Sequence, residues 1–495
     1  MIHKAFTDLE NSPTDSRFVI HEVDENGTRK QIFKSNIETD SISKSEKLNV
    51  SYGHAPTEFR TPKTTNIYNM FIQIFLPSGY PNSVKSDYTP YQIYDSFQAF
   101  SSSIASLFAN RAVLTAVGVG DDSATSTSAL FMKIIQETVG RLGTILFAWK
   151  YGSSLEPECK KYRFLADIVN DTAIFFDCIS PFFPFNKSIT VFTLCISGFF
   201  RSICGVMAGG SRAALTLHFT QPERGSIADV NAKDQSQETV ISLIGMIAGS
   251  LVVGVVPSEG LLMWVVMLML LTIHLYTNYQ AVSNVVMQSL NRQRTNILFS
   301  DITKSLEELD QSRLNDSDRA VALSKLVLTP TKVSKKENIL SSSQLIRDSN
   351  NNIIGSGKFV EFSMIQHLVL KSDISLLDII SATLKHGYIL FFVQGPSSTP
   401  NIYISLVDDD DCSKSPFFDR DVKSWVHAFL ICRYLQKEKI GKVEILDIIK
   451  STTNQLDYLF TTMDISFSLE KAGWDLHTRS IVTNSVKKLK FSFGG

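Results

Sequence analysis

A bundle of about six transmembrane helices followed by a small soluble α+β domain, mainly α overall, is the fold class that the sequence predicts. Three observations carry that prediction. No charged residue lies between Glu238 and Glu259, and none lies between Glu259 and Arg292 if His274 is neutral. Four further apolar segments precede these two, starting at Tyr94. From Arg292 onward the composition returns to that of an ordinary soluble chain. The 495 residues are 44% hydrophobic and 20% charged, which excludes a disordered chain, a coiled-coil rod and a collagen-like repeat. With 48 Lys+Arg against 49 Asp+Glu the net charge is −1, so no nucleic-acid partner is expected.

Residues 1–65 form a polar arm rich in Ser, Thr, Asn and Lys, with no apolar core of a cleavable secretory signal. Within it, Phe18-Val19-Ile20 and Gln31-Ile32-Phe33 flank Asn26-Gly27, a pair suited to a tight hairpin turn. Residues 66–291 hold the membrane segments. A bilayer needs about 20 largely apolar residues per crossing. Thr239–Val256 and Leu261–Tyr279 meet that length, with Pro257-Ser258-Glu259-Gly260 turning between them. Gly245 and Gly249 supply the small-residue spacing that lets membrane helices approach closely. The other segments, 94–119, 129–149, 164–183 and 188–207, each contain ionisable residues. If all six cross, Lys150, Lys160, Lys161, Arg163, Arg212, Arg224, Lys233, Arg292 and Arg294 fall on one side. The positive-inside rule then makes that side cytosolic and places both termini there.

Residues 292–356 read as a polar amphipathic helix, 297–313, and a Ser/Lys/Asn-rich linker from Thr329. Residues 357–495 read as the α+β domain. Strand-like runs at Tyr388–Val393 and Ile402–Val407 join through Gly395-Pro396, and helices are expected over 422–436 and 442–461. Six widely spaced cysteines form no CxxC pair, so neither a zinc site nor a disulfide scaffold is expected. Gly118-Val119-Gly120 lacks the third glycine of a dinucleotide fingerprint, and Asp408–Asp411 lacks the spacing of a calcium loop. With no nucleophile elbow or histidine pair, no catalytic residue, metal or cofactor is expected, and the chain does not read as an enzyme.

Two long stretches resemble a known family. One runs from Phe75-Leu76-Pro77-Ser78-Gly79-Tyr80-Pro81 through Asp87-Tyr88, Tyr91-Gln92 and Asp95-Ser96-Phe97-Gln98. The other runs from Arg201-Ser202-Ile203-Cys204-Gly205 through Gly209-Gly210-Ser211-Arg212, His218-Phe219 and the segment Ala228–Thr239. Together they resemble the root UV-B sensitive (RUS) family over roughly residues 70–290. The likeness is weaker at Trp425–Phe429 and Ala472–Asp475. The resemblance implies membrane association. Plant members are tied to seedling development, UV-B response and vitamin B6-linked physiology, and no biochemical activity is established for the family as a whole.

Charges inside apolar segments are costly unless they face a bundle interior or a wet cavity. Asp95, Gln98, Arg111, Arg141, Asp167, Asn170, Asp171 and Arg201 are therefore candidates either for structural ion pairs or for a polar pathway. Arg212 with Asp229, Lys233, Asp234, Gln237 and Glu238 forms a polar box before the span at 239. Acids at that position complement a helix N-terminus, and a gating role is the rival reading. The expected function is a multi-pass carrier of a small metabolite. The alternative is a membrane-anchored adaptor that recruits protein partners, including other family members, through its C-terminal domain. The expected surroundings are membrane lipids and a homo- or hetero-oligomer.

Overall fold

The computed structural model describes residues 74–117, 126–183, 187–258, 260–310, 314–372, 374–394, 399–408, 417–437, 444–484 and 487–489, and two strands of the arm. Those strands, β1 (Val19–Val23) and β2 (Arg29–Lys34), pair antiparallel as the hairpin reading expects. The turn residues Asn26-Gly27, the Gly118–Asp122 stretch, Glu259, Gly395-Pro396, Asp409–Asp411 and Cys412 lie outside the described residues.

The chain divides into two compact units, Met1–Ser86 with Phe219–Gln237, and Asp87–His218 with Glu238–Gly495. In the first, Val84 bridges Thr220 and the Gln221 amide donates to Ser83 O at 3.0 Å, which closes the 75–84 loop on the 219–225 turn.

The long helices are α1 (Tyr88–Val117), α2 (Ser126–Tyr151), α3 (Cys159–Ile179), α4 (Lys187–Phe219), α5 (Ile227–Val255) and α6 (Leu261–Asn284), all in the second unit except Phe219 and the start of α5 up to Gln237. α1, α3 and α6 pack together because each carries an apolar stripe at helical spacing. Ile104 and Phe108 of α1 meet Ile174 and Cys178 of α3 and Met263, Met267 and Leu271 of α6. α5 approaches α1 across the two glycines noted above. A Cβ on Gly245 would sit 2.8 Å from Ser103 Cβ, and one on Gly249 would sit 2.8 Å from Leu107 Cδ1 and 3.2 Å from Ile104 Cα. Gly249→Leu should therefore wedge α5 from α1 at a cost of about 1–3 kcal/mol. Thermal unfolding of detergent-solubilised variant and parent measures it, and an unchanged midpoint would show that the contact carries no stability.

The six-span expectation is not met. Among the described residues, three helices are long and apolar enough to cross a membrane: Ser188–Phe219, Ile227–Val255 and Leu261–Asn284. The physical reason is polar content. α1 carries Gln92, Asp95, Gln98 and Ser101–Ser103, and α3 carries Lys160, Lys161, Arg163, Asp167, Asp171 and Asp177. α2 carries Lys133, Glu137, Arg141 and Lys150. Three crossings would put the flanking segments on opposite faces, so the loop-charge argument for two cytosolic termini loses its basis. Arg163, Arg292 and Arg294, read as loop charges, are in fact buried within helices.

Beyond the bundle come α7 (Arg292–Asp310), α8 (Asp316–Leu326) and α9 (Pro330–Ser334). The stretch 329–356, read as a linker, instead holds α9, β3 (Leu345–Arg347) and the start of β4 (Ile353–Phe359). Its Ser and Asn residues form turns: Asp348 Oδ1 accepts from the amides of Asn350 and Asn352, both at 2.9 Å. With β5 (Tyr388–Gln394) and β6 (Pro400–Leu406) these strands make a mixed sheet of order β3-β4-β6-β5. β4 runs parallel to β6, and the other pairs are antiparallel. Short helices α10 (Phe362–Val369) and α11 (Leu376–Thr383) precede β5. Helices α12 (Phe417–Lys437), α13 (Ile445–Asp457) and α14 (Ile465–Lys471) follow β6. Trp425, Phe429, Ile389, Phe391 and Ile404 form one buried core with Leu298 and Phe299 of α7.

Candidate functional site

α3 places Arg163, Asp167 and Asp171 four residues apart, hence on one helical face. α6 presents His274 and Asn278 with the same spacing, and α1 presents Asp95 and Gln98. All seven side chains are buried where the three helices meet, His274 at 1% and Asn278 at 0% exposure. Arg163 Nη2 donates to Asp95 Oδ1 at 2.7 Å and reaches Gln98 Oε1 at 3.4 Å. Gln98 Nε2 and Asn278 Nδ2 both donate to Asp167 Oδ2. His274 Nδ1 meets Asp171 Oδ1 at 2.7 Å, while its Nε2 lies 3.5 Å from Asp167 Oδ2 and 3.3 Å from Gln98 Nε2.

The charge count decides what this cluster can do. Three carboxyl groups face one guanidinium and one imidazole, so the set is formally one negative charge in excess when all three are ionised and His274 is protonated. Buried charge of that kind is tolerated only when neutralised by a proton, a cation or a ligand. Arg163 Nε, Asp171 Oδ2 and Asn278 Oδ1 are also buried with no hydrogen-bond partner among the described residues. Asp95 and Gln98 simultaneously line a cavity of about 220 Å³ between α1 and α5. Ser102, Ser103, Ser106 and Asn110 extend its polar wall, and Glu238 and Ser242 face them from α5. The buried network and the groove therefore share two residues.

The remaining candidates separate. Arg111 donates to Val253 O at 2.8 Å, Val256 O at 3.0 Å and Pro257 O at 3.1 Å, so it satisfies the open carbonyls at the C-terminus of α5. Arg141, 81% exposed, lies 3.8 Å from Glu137 on its own helix. Arg201 pairs with Asp177, and Asn170 is half-buried on α3. In the polar box, Arg212 pairs with Glu238 at the groove. Asp229 Oδ2 accepts from the Ser78 amide at 2.7 Å, and Gln237 Nε2 donates to Phe75 O, so both hold the 75–78 loop. Asp234 is buried and Lys233 half-buried.

Sequence reasoning missed Arg163, His274 and Asn278. The four-residue spacing from Arg163 to Asp167 was available, but the expected loop at 150–163 hid it; the helix begins at Cys159. His274 and Asn278 passed as neutral residues of an apolar run. It also missed a second buried cluster. Glu337 lies 2.5 Å from both Lys160 Nζ and Arg294 Nε, and Arg294 Nη1 donates to Ser289 O at 2.7 Å. Beside it, Arg292 donates to Ile481 O at 2.7 Å and its guanidinium lies 4.9 Å from the rings of Phe359 and Trp425. Burial brings Arg292 down to about 10. Among the described residues, no group of three or more His, Cys, Asp or Glu side chains is placed to hold a metal ion.

Residues 61–305 match the family described as the vitamin B6 photo-protection and homoeostasis domain. Over 282 residues the chain is 38% identical to RUS family member 1 of Dictyostelium discoideum, covering 57% of this chain and 49% of that one. It is 34% identical over 258 residues to Protein root UVB sensitive 3 of Arabidopsis thaliana, covering 52% and 58%. The chain belongs to the RUS family. A more distant relative, Protein root UVB sensitive 2, chloroplastic, of the same plant, is 26% identical over 246 residues. The chain spans about half the length of the curated RUS relatives it matches. No solved structure matches it. The seven network residues, the groove and the polar box all lie inside the RUS-matched region, whereas Glu337 and Trp425 lie beyond it.

Proposed function

We propose that this RUS-family chain is a multi-pass membrane protein that carries a small polar solute, with the groove between α1 and α5 as its access route. The observation that supports the reading most is the negative excess of the Asp95, Asp167 and Asp171 set, buried among helices and continuous with a polar groove. A purely structural ion-pair set would be expected to balance its charge. The three apolar helices support membrane embedding, and the family description makes vitamin B6 compounds the first solutes to try. Purified protein in liposomes should take up radiolabelled pyridoxine or a related vitamer. Asp167→Asn and His274→Gln should abolish uptake, while Arg141→Gln, on an exposed face, should leave it intact. Full uptake by the first two variants would refute the site.

A second reading, association through α2 rather than through the C-terminal domain, has one specific observation in its favour: α2 leaves Leu142, Ile145, Leu146 and Trp149 exposed, with Trp149 at 83%. Such a row fits lipid or another family member. Cross-linking the full chain through α2 in membranes, with loss on Trp149→Ser, tests it.

A further inference from the structure

The C-terminal part of the chain holds a cavity that takes no part in the buried network. It lies between α7, α12 and α13 and measures about 620 Å³, within the roughly 300–1,000 Å³ common for small-molecule sites. Leu306, Leu430 and Leu459, one from each side, give it apolar walls, and Asn454 and Gln455 supply amides along α13. Tyr458 and Leu459, which line it, open a π-helical turn over Tyr458–Thr462. Such wide turns are rare and recur at functional sites.

One wall carries two acids and two bases, unevenly placed. Arg433 Nε and Nη2 reach Glu307 Oε1 at 3.2 and 2.6 Å, and Lys437 Nζ reaches the same oxygen at 2.6 Å. Two cations thus converge on one carboxylate oxygen. Asp310, the other acid on that wall, is held by Arg319 at 2.9 Å. Glu307 is 44% exposed, so its side chain can swing into solvent while Arg433, 17% exposed, stays at the cavity.

We infer that this cavity binds a small amphipathic organic anion, whose head group displaces Glu307 from Arg433 and Lys437 and whose apolar body covers the three leucines. Glu307 acts as an internal counter-ion that the ligand replaces. The two cations that share the Glu307 oxygen select an anion in its place, and the leucines select an apolar body over a free inorganic ion.

Calorimetric titration of the full chain in detergent with 2-naphthoate tests this, with empty micelles subtracted and 2-naphthalenemethanol as the neutral counterpart. Saturable binding of the acid, stronger than that of the alcohol, is expected. Arg433→Gln and Lys437→Gln should each weaken the acid about tenfold. Glu307→Gln should tighten it several-fold, because the competing carboxylate is gone. A melting temperature equal to the parent's certifies each variant, and Lys437→Gln, at a side chain 55% exposed, carries the test alone if Arg433→Gln unfolds. No saturable binding, binding indifferent to Arg433 and Lys437, or weaker binding in Glu307→Gln would overturn the assignment.

Discussion

Replacing Arg163 with methionine should destabilise the helical bundle by about 3–5 kcal/mol, the cost typical of removing one partner from a buried charge set. The side chain is 8% exposed, and Asp95, which it pairs at 2.7 Å, is 7% exposed. Deletion leaves Asp95, Asp167 and Asp171 with His274 as their single basic neighbour in the network. Asp95→Asn should cost less, because an amide still accepts a hydrogen bond from the guanidinium and the negative excess falls. Arg163→Met with Asp95→Asn should therefore be less destabilised than the sum of the two. Thermal unfolding of all four proteins in one detergent completes the cycle. Additive losses would mean that the pair is not coupled.

The second large effect is expected at Glu337. Removing its charge takes from buried Lys160 and Arg294 the carboxylate that both contact at 2.5 Å, so Glu337→Gln should also cost about 3–5 kcal/mol. Its pH dependence has a definite sign. Burial works to raise the Glu337 carboxyl, but the Arg294 and Lys160 charges and their hydrogen bonds outweigh it and hold the group below its ordinary 4.5. A depressed carboxyl contributes stability that is present above its unfolded pKa and lost as pH falls through the folded one. The parent should thus lose this contribution below about pH 4.5, whereas Glu337→Gln should show a flatter acid limb.

Neighbouring Glu158 behaves in the opposite sense. Burial raises its carboxyl above 4.5 against the pull of Arg294, Lys161 and Arg292, and its Oε1 has no hydrogen-bond partner among the described residues. Its ionisation costs stability as pH rises through the folded pKa, so it offsets part of the Glu337 gain at neutral pH. Unfolding midpoints across the acid range separate the two. Parallel curves for parent and Glu337→Gln would remove Glu337 from the account.

Part of the candidate site was legible because its residue types clash with their surroundings. Asp95, Gln98, Asp167 and Asp171 are polar groups in apolar helices, and such groups require partners. Arg111, Arg141 and Arg201 satisfied the same criterion but went elsewhere. Which carbonyl or carboxylate a long guanidinium reaches depends on neighbours far away in sequence. Arg111 finds the end of a helix 142 residues on, and Arg141 finds Glu137 one turn back. Arg163 illustrates the converse: a basic cluster at 160–163 reads as a loop by composition, yet forms the first turn of α3 and enters the network. The stretch 329–356 shows the same limit. Ser, Lys and Asn suit a linker and a tight turn equally, and the pairing of β3 with β4 made them turns.

What the sequence by itself determined is the set of features written in local composition. These include the charge-free runs that became α5 and α6, the close glycine approach at 245 and 249, the hairpin of the arm, and the long motifs of the RUS family. They are legible because helix period, turn chemistry and motif identity involve neighbours along the chain. Tertiary structure alone decided that an arginine, a histidine and an asparagine complete the buried network. It alone paired Glu337 with two cations. The reason is that a buried charge is tolerated according to what surrounds it in space, and those partners lie 43 to 177 residues away.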